Sequence, residues 1–315
     1  MSLLSDGAEP LARVALAISA FRSDDAVIAL LERAFAPGVP RFGAVIVVDS
    51  LGTGNIARAA AERGWPLRYE NATRNLGSAG NLDLRLRTAA ELECDWCFAV
   101  NHDGEVDAGQ VSRLVEHGAS RPRVGAVYPQ LVYSHAAGRP DRPRRSFTTY
   151  GVIGDEPSEG TTTGDCIDVA WSSSNCALYR LDAIREGLDT WPQLWMGFED
   201  LAIGWELKRR GWTQLLCTDV QVVDHYEFTA VRVLGREVQI ASKPTWYAYY
   251  HWRNLLMVAR GTHGEAMSLG RLGARGIVDV GLIVLFRDKK LERLRLLFQG
   301  LFDGLRGRSG KGPVP

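Results

Sequence analysis

Short apolar segments that each stop on a polar turn, with helical patterns between them, constrain this chain more than any other feature. Arg13–Phe21 reads Arg-Val-Ala-Leu-Ala-Ile-Ser-Ala-Phe. It is apolar on both faces, as a strand buried in a parallel sheet must be. Asp24–Ala36 then places Val27, Leu30, Leu31 and Ala34 on one helical face. Ala44–Val48 is a second strand, closed by the turn Asp49–Gly54, and a helix over Asn55–Arg63 and a short strand over Leu67–Glu70 follow. The small-residue stretch Asn75–Asn81 reads as a loop before a helix over Leu82–Leu92. Trp96–Val100 is a fourth strand that stops at Asn101-His102-Asp103, and a helix at Ala108–Ala119 and a strand at Val124–Val132 continue the alternation. Right-handed crossovers between such strands give an α/β, mostly parallel, doubly wound sheet. Ligands of such sheets bind beyond the carboxyl ends of the strands. Asp49, Asn75–Asn81 and Asp103 all fall at those ends.

Residues 134–165 break the alternation with a basic, proline-punctuated stretch and a polar, glycine-bearing one, as a lid or a disordered segment does. Ile167–Trp171, Ala177–Arg180 and Gln214–Val223 resume as strands, the last running into Asp224-His225-Tyr226. Between them, Trp195-Met196-Gly197-Phe198 leads into Glu199-Asp200 and a helix with Leu201, Ala202 and Trp205 on its buried side, ended by Gly211. Two acids at a helix start either offset the macrodipole or mark a site. After Pro244 the chain turns aromatic and helical, which divides it into an α/β domain over 1–244 and a C-terminal helical region over 245–315.

Charge and cysteine usage narrow the function classes. The 37 basic and 37 acidic residues cancel, so no global field draws the chain to nucleic acid. Five cysteines and a short polar start predict reduced thiols in a cytoplasmic protein. Cys94-Asp95-Trp96-Cys97 has no second ligand pair at zinc spacing and leads into a strand, so these are expected to be structural thiols.

The order of these segments, together with Tyr249–Asn254 and Asp303–Arg308, resembles family 2 glycosyltransferases of the GT-A fold, especially bacterial rhamnosyl- and galactofuranosyltransferases. The resemblance implies a UDP- or dTDP-sugar donor, with dTDP-rhamnose and UDP-galactofuranose favoured, and a divalent cation, Mg²⁺ or Mn²⁺, on the diphosphate. Phe21, Asp49, Arg74, Asn75, Gly77 and Asn101 then correspond to nucleotide contacts. Asp103 corresponds to the metal-binding Asp of the family's DxD motif, here Asn101-His102-Asp103, and His225 to the later metal ligand. Asp200 corresponds to the base that takes the acceptor's proton, with Glu199 orienting sugar hydroxyls. Trp171 and Trp195 are candidate stacking faces for a glycan or lipid-linked acceptor, and core packing is the alternative for each. Asn175-Cys176 stand where members often have glycines, so the acceptor pocket is expected to differ. Nucleotidyl transfer is a rival enzyme class, although Phe21–Asp25 lacks its glycine- and arginine-rich loop. A glycan-binding or scaffold protein on a degenerate GT-A fold is the non-enzymatic rival.

The last fifty residues carry ten Lys or Arg against four acids, with a Leu/Phe stripe over Lys289–Leu305. That composition fits an ordinary packing helix, a homodimer face, or peripheral contact with the inner face of the plasma membrane.

Overall fold

The computed structural model describes residues 11–104, 106–133, 165–224, 228–233 and 236–312, and the backbone at 142–143. The first half alternates as the sequence predicts: β1 (Val14–Ala20), α1 (Asp24–Ala34), β2 (Ala44–Asp49), α2 (Asn55–Arg63), β3 (Arg68–Asn71), α3 (Gly77–Ala90), β4 (Trp96–Asn101), α4 (Ala108–Ala119) and β5 (Val124–Tyr133). Then come β6 (Arg142–Pro143), β7 (Cys166–Asp168), β8 (Ala177–Arg180), α5 (Leu181–Arg185), a 3₁₀ turn (Pro192–Leu194), α6 (Glu199–Arg209) and β9 (Thr213–Asp224). A hairpin of β10 (Phe228–Val233) and β11 (Arg236–Ala241) precedes the helices α7 (Tyr247–Gly261), α8 (Leu269–Phe286) and α9 (Lys290–Leu305).

The main sheet runs β3-β2-β1-β4-β8-β5-β9-β7, with β6 beside β5. β1 is parallel to both β2 and β4, β2 to β3, and β5 to β9, whereas β8 enters antiparallel between β4 and β5. From β1 the chain winds outward to β3 on one side and to β4 on the other. This reversal opens a crevice at the strand ends. Alternation along β1 builds both layers: Leu16 and Ile18 pack with Leu30, Leu31 and Ile56 of α1 and α2. Ala15 and Ala17 face Leu82 and Leu86 of α3.

The structure departs from the sequence reading at four places. α3 begins at Gly77, so most of the predicted loop 75–81 is its first turn. The Asn75 side chain accepts the Gly77 N–H at 2.9 Å, and the small residues serve a tight contact rather than a turn. The strand expected over 167–171 is shortened to Cys166–Asp168, with a single bridge residue at Trp171, where Ala170 and Trp171 pack on α6. The hairpin β10–β11 and the short α5 carried no periodic signal long enough to read.

The thiols are the fourth departure. Cys166 and Cys217 are joined in a disulfide, against the expectation of reduced thiols, while Cys94, Cys97 and Cys176 are free and buried. The antiparallel register sets Cys166 directly opposite Cys217, a pairing that 51 residues of separation hide in the sequence. The stretch 134–165, read as a lid or a disordered segment, lies outside the described residues apart from β6 and Asp165.

Candidate active site at the ends of β1 and β4

A cavity of about 240 Å³ opens beyond β1 and β4, and its walls include Ser19, Phe21, Asn101, His102, Asp103 and Glu199. Each wall has a local cause. β1 and β4 end side by side because Ser19 pairs with Asn101, and the Ser19 hydroxyl donates to Asn101 Oδ1 at 3.1 Å. Asn175 Oδ1 accepts the Asn101 N–H at 3.0 Å and so fixes the turn that presents Asp103. Gly104 completes that turn, since a Cβ there would meet Val100 Cγ2 at 2.6 Å.

The α3 N-terminus forms a second wall through Asn75, Gly77, Ser78 and Asn81. Gly77 has φ +69°, and a Cβ on it would stand 2.0 Å from the Trp195 carbonyl oxygen. Only glycine permits that approach. The Ala79 N–H donates to the same carbonyl at 3.2 Å, so α3 and the segment before α6 are pinned together.

That segment is strained. Trp191, Trp195 and Phe198 have φ of +55°, +62° and +69° without being glycines. Each such residue costs about 1–3 kcal/mol and persists only where its surroundings hold it. α7 provides the hold through two fully buried residues, Arg253 and Asn254. Asn254 Nδ2 donates to the carbonyls of Leu194, Met196 and Gly197 at 2.9, 2.8 and 2.9 Å. Arg253 donates to Leu194 O at 2.7 Å and to Gly310 O at 2.6 Å. Trp195 stacks on Tyr250 with centroids 4.7 Å apart.

The clamped segment delivers Glu199. This carboxylate is buried against the cavity, and its Oε2 has no hydrogen-bond partner. Burial raises its pKa, while the Ser78 hydroxyl, nearby backbone N–H groups and the Arg85 charge pull the other way. Asp200, one residue on, is half-buried with Oδ1 at 2.9 Å from the Leu201 N–H, and it is not among the side chains lining the cavity.

Arg85 lies against the cavity, unannounced by the sequence because α3 also carries Asp83 and Arg87, ordinary surface charges from which nothing local distinguishes it. Its Nη1 donates to the carbonyls of Ala17 and Val100 at 3.1 and 3.0 Å, and its Nε is unpartnered. Burial lowers its pKa to about 10, so it stays charged near neutrality.

The remaining predicted residues fall elsewhere. Asp49 is fully buried behind the cavity wall, where Oδ2 accepts the Tyr69 hydroxyl at 2.7 Å and Gly52 closes over it. Burial raises its pKa, and the Tyr69 bond offsets that in part. Arg74 and Trp195 line a second, larger cavity of about 790 Å³ that shares Asn75 with the first. Trp171 is buried among Trp191, Leu201, Ala202 and Trp205, a core environment. His225 lies outside the described residues.

For a divalent cation, Asp103 supplies an exposed carboxylate at the cavity and His102 an imidazole beside it. One or two protein ligands plus substrate phosphates suit Mg²⁺ or Mn²⁺, so the residues present fit such an ion. Another group of potential ligands among the described residues, His117, Cys166, Cys217 and Asp219, lies at the β9–β7 edge. Its cysteines are bonded to each other, and Arg113 and His117 both hold Asp219. It ties α4 to the sheet edge and is no part of the cavity.

No protein-family profile matches the chain. N-acetylglucosaminyl-diphospho-decaprenol L-rhamnosyltransferase of Mycobacterium tuberculosis is 26% identical over 58% of this chain, a match that spans 66% of that protein, just under two thirds. Among solved structures, S. aureus TarS in complex with UDP-GlcNAc superposes with a TM-score of 0.57 at 12% identity, covering 94% of this chain and 81% of that one. The mannosyltransferase PcManGT from Pyrobaculum calidifontis, in complex with GDP-Man and Mn²⁺, gives 0.55 at 13% identity over 94% of this chain and 88% of that one. The sheet order, the cavity at its reversal and these likenesses agree on the GT-A fold of glycosyltransferases, and in sequence the chain is similar to a rhamnosyltransferase.

Proposed function

We propose that this protein transfers a hexosyl residue, with inversion, from a UDP- or dTDP-sugar to a hydroxyl of a glycan or lipid-linked acceptor. The observation that carries the reading is the cavity that faces Asn101-His102-Asp103 with Glu199 across the ends of β1 and β4. Phe21, Ser50 and Asn75 offer surfaces for the nucleoside, and the positive end of the α3 macrodipole at the cavity wall favours a diphosphate. Arg85 adds a fixed positive charge against the cavity. Asp103, with His102 and, by resemblance, His225, would hold Mg²⁺ or Mn²⁺, which offsets charge on the departing diphosphate.

In the proposed step the acceptor oxygen attacks the anomeric carbon as the bond to the diphosphate breaks. The acceptor's proton passes to a carboxylate on the attacking side. Asp200 takes that role by resemblance. A second reading gives it to Glu199, because Glu199 and not Asp200 lines the cavity and has an unpartnered oxygen there.

The M. tuberculosis relative, named for rhamnosyl transfer to a lipid diphosphate, makes dTDP-rhamnose the first donor to test and a prenyl-diphosphate glycan the first acceptor. Transfer is measured with dTDP-rhamnose and UDP-galactofuranose for the wild type, Asp200→Asn and Glu199→Gln. The variant that loses about 10²–10⁴-fold in turnover while still binding donor identifies the base. No turnover of any donor by the wild type would favour the glycan-binding rival.

A further inference from the structure

α8 and α9 leave a broad apolar surface uncovered. On α8, Leu269, Ile277 and Leu285 are 69%, 79% and 67% exposed, with Val278 and Val284 exposed beside them. At 100° per residue, Gly273, Ile277, Gly281 and Val284 share one face with no charged side chain on it. A Cβ at Gly270, Gly273 or Gly281 would meet nothing within 4 Å, so that face is open along its length.

On α9 apolar residues lie on both sides, with Leu296 and Leu297 buried against the rest of the protein. Gly300 and Gly304 also lie on the inward side: a Cβ at Gly300 would stand 2.3 Å from Tyr249 O and one at Gly304 2.9 Å from Arg253 O. The large residues Leu291, Phe298, Phe302 and Leu305 therefore face solvent, Leu291 at 85% exposure. Patches of this kind mark interaction sites.

The charges say what would cover it. From Ala266 to the end, ten basic residues stand against four acids on a chain that is neutral overall. Three of those acids are engaged within the region, Asp279 by Arg275, Asp288 by Arg293 and Asp303 by Arg308. Lys289 and Lys290 remain at the tip of the α8–α9 hairpin, Arg295 is exposed along α9, and Arg306 lies over the Phe302 ring. A two-fold dimer through this face would bring two copies of this net-basic surface together. An anionic lipid surface takes both the apolar face and the cations.

We propose that the α8–α9 hairpin docks this protein on an anionic bilayer, lying in the interface. None of the described helices is long and apolar enough to cross a membrane, so the contact is peripheral. The proposal goes beyond glycosyl transfer and does not depend on it.

The test is flotation of the full chain with phosphatidylcholine vesicles, with and without phosphatidylglycerol. The variants are Ile277→Asp/Leu285→Asp and Lys289→Glu/Lys290→Glu, all at exposed positions away from the cavity. The wild type is expected to float with the anionic vesicles and at least ten-fold less with the neutral ones. The Asp pair should abolish flotation, and the Glu pair should weaken it about ten-fold or more, less so at high salt. Circular dichroism checks that each variant is folded. Failure of the folded wild type to float on anionic vesicles overturns the proposal, as does equal flotation by the Asp pair. A concentration-dependent dimer lost in Ile277→Asp/Leu285→Asp, without vesicle binding, would assign the face to a second copy instead.

Discussion

Asn254→Leu tests whether α7 holds the segment that leads into Glu199 and Asp200 in place. Leucine keeps the branched outline of asparagine but is larger, so some overpacking at this fully buried site adds to the effect. The donors are lost. Leu194 O keeps its bond from Arg253, but the carbonyls of Met196 and Gly197 lose Asn254. Two stranded part-buried carbonyls cost at most about 2–4 kcal/mol, taking about 1–2 kcal/mol for each. That is comparable to the strain stored at Trp195 and Phe198, so the segment relaxes and carries Glu199 and Asp200 away from the cavity. If the whole cost falls on the reactive conformation, turnover drops about 30- to 1000-fold, at ten-fold for each 1.36 kcal/mol. Donor binding, which rests mainly on the β1, β4 and α3 walls, should change much less. Transfer assays give kcat and calorimetry gives the donor Kd. A folded Asn254→Leu protein with kcat within two-fold of wild type would refute the clamp.

Other expectations concern single groups at the cavity. Gly77→Ala forces a methyl against Trp195 O at a position with φ +69°, and should lower both Tm and turnover. Glu199 has a raised folded-state pKa, so the native state binds more protons than the unfolded chain and its stability falls as pH rises through that pKa. Glu199→Gln removes this dependence, and its Tm should gain more over wild type at pH 8 than at pH 5; no difference between the two would contradict the buried-carboxylate assignment. Asp103→Asn should weaken nucleotide binding with Mn²⁺ at least ten-fold and have little effect under chelator, as calorimetry in both conditions would report.

Much of the fold was legible because one face of each early element is buried continuously. The stripe Val27, Leu30, Leu31, Ala34 lies inward as spaced, and α2, α4 and β8 keep the predicted limits. The alternation was local, and local patterns survive in a sequence. What could not be read depends on distant partners. Asn75–Asn81 looked like a loop because its small residues answer to the Trp195 carbonyl, which stands more than a hundred positions away. Cys166 and Cys217 meet only through the register of β7 and β9. The candidate site divides the same way. Phe21, Asn75, Gly77, Asn101, Asp103 and Glu199 share the cavity because strand ends and helix starts converge there. Arg85 is not marked in the sequence, because among the charged residues of α3, Asp83, Arg85 and Arg87, nothing local says which one turns toward a crevice.

The most direct measurement is a crystal structure with dTDP or UDP and Mn²⁺. The diphosphate is predicted to lie in the cavity bounded by Ser19, Asn101, Asp103 and Glu199, with the metal on Asp103. A nucleotide bound instead in the neighbouring cavity lined by Arg74, Trp195 and Lys311, or no binding at millimolar nucleotide, would contradict the account.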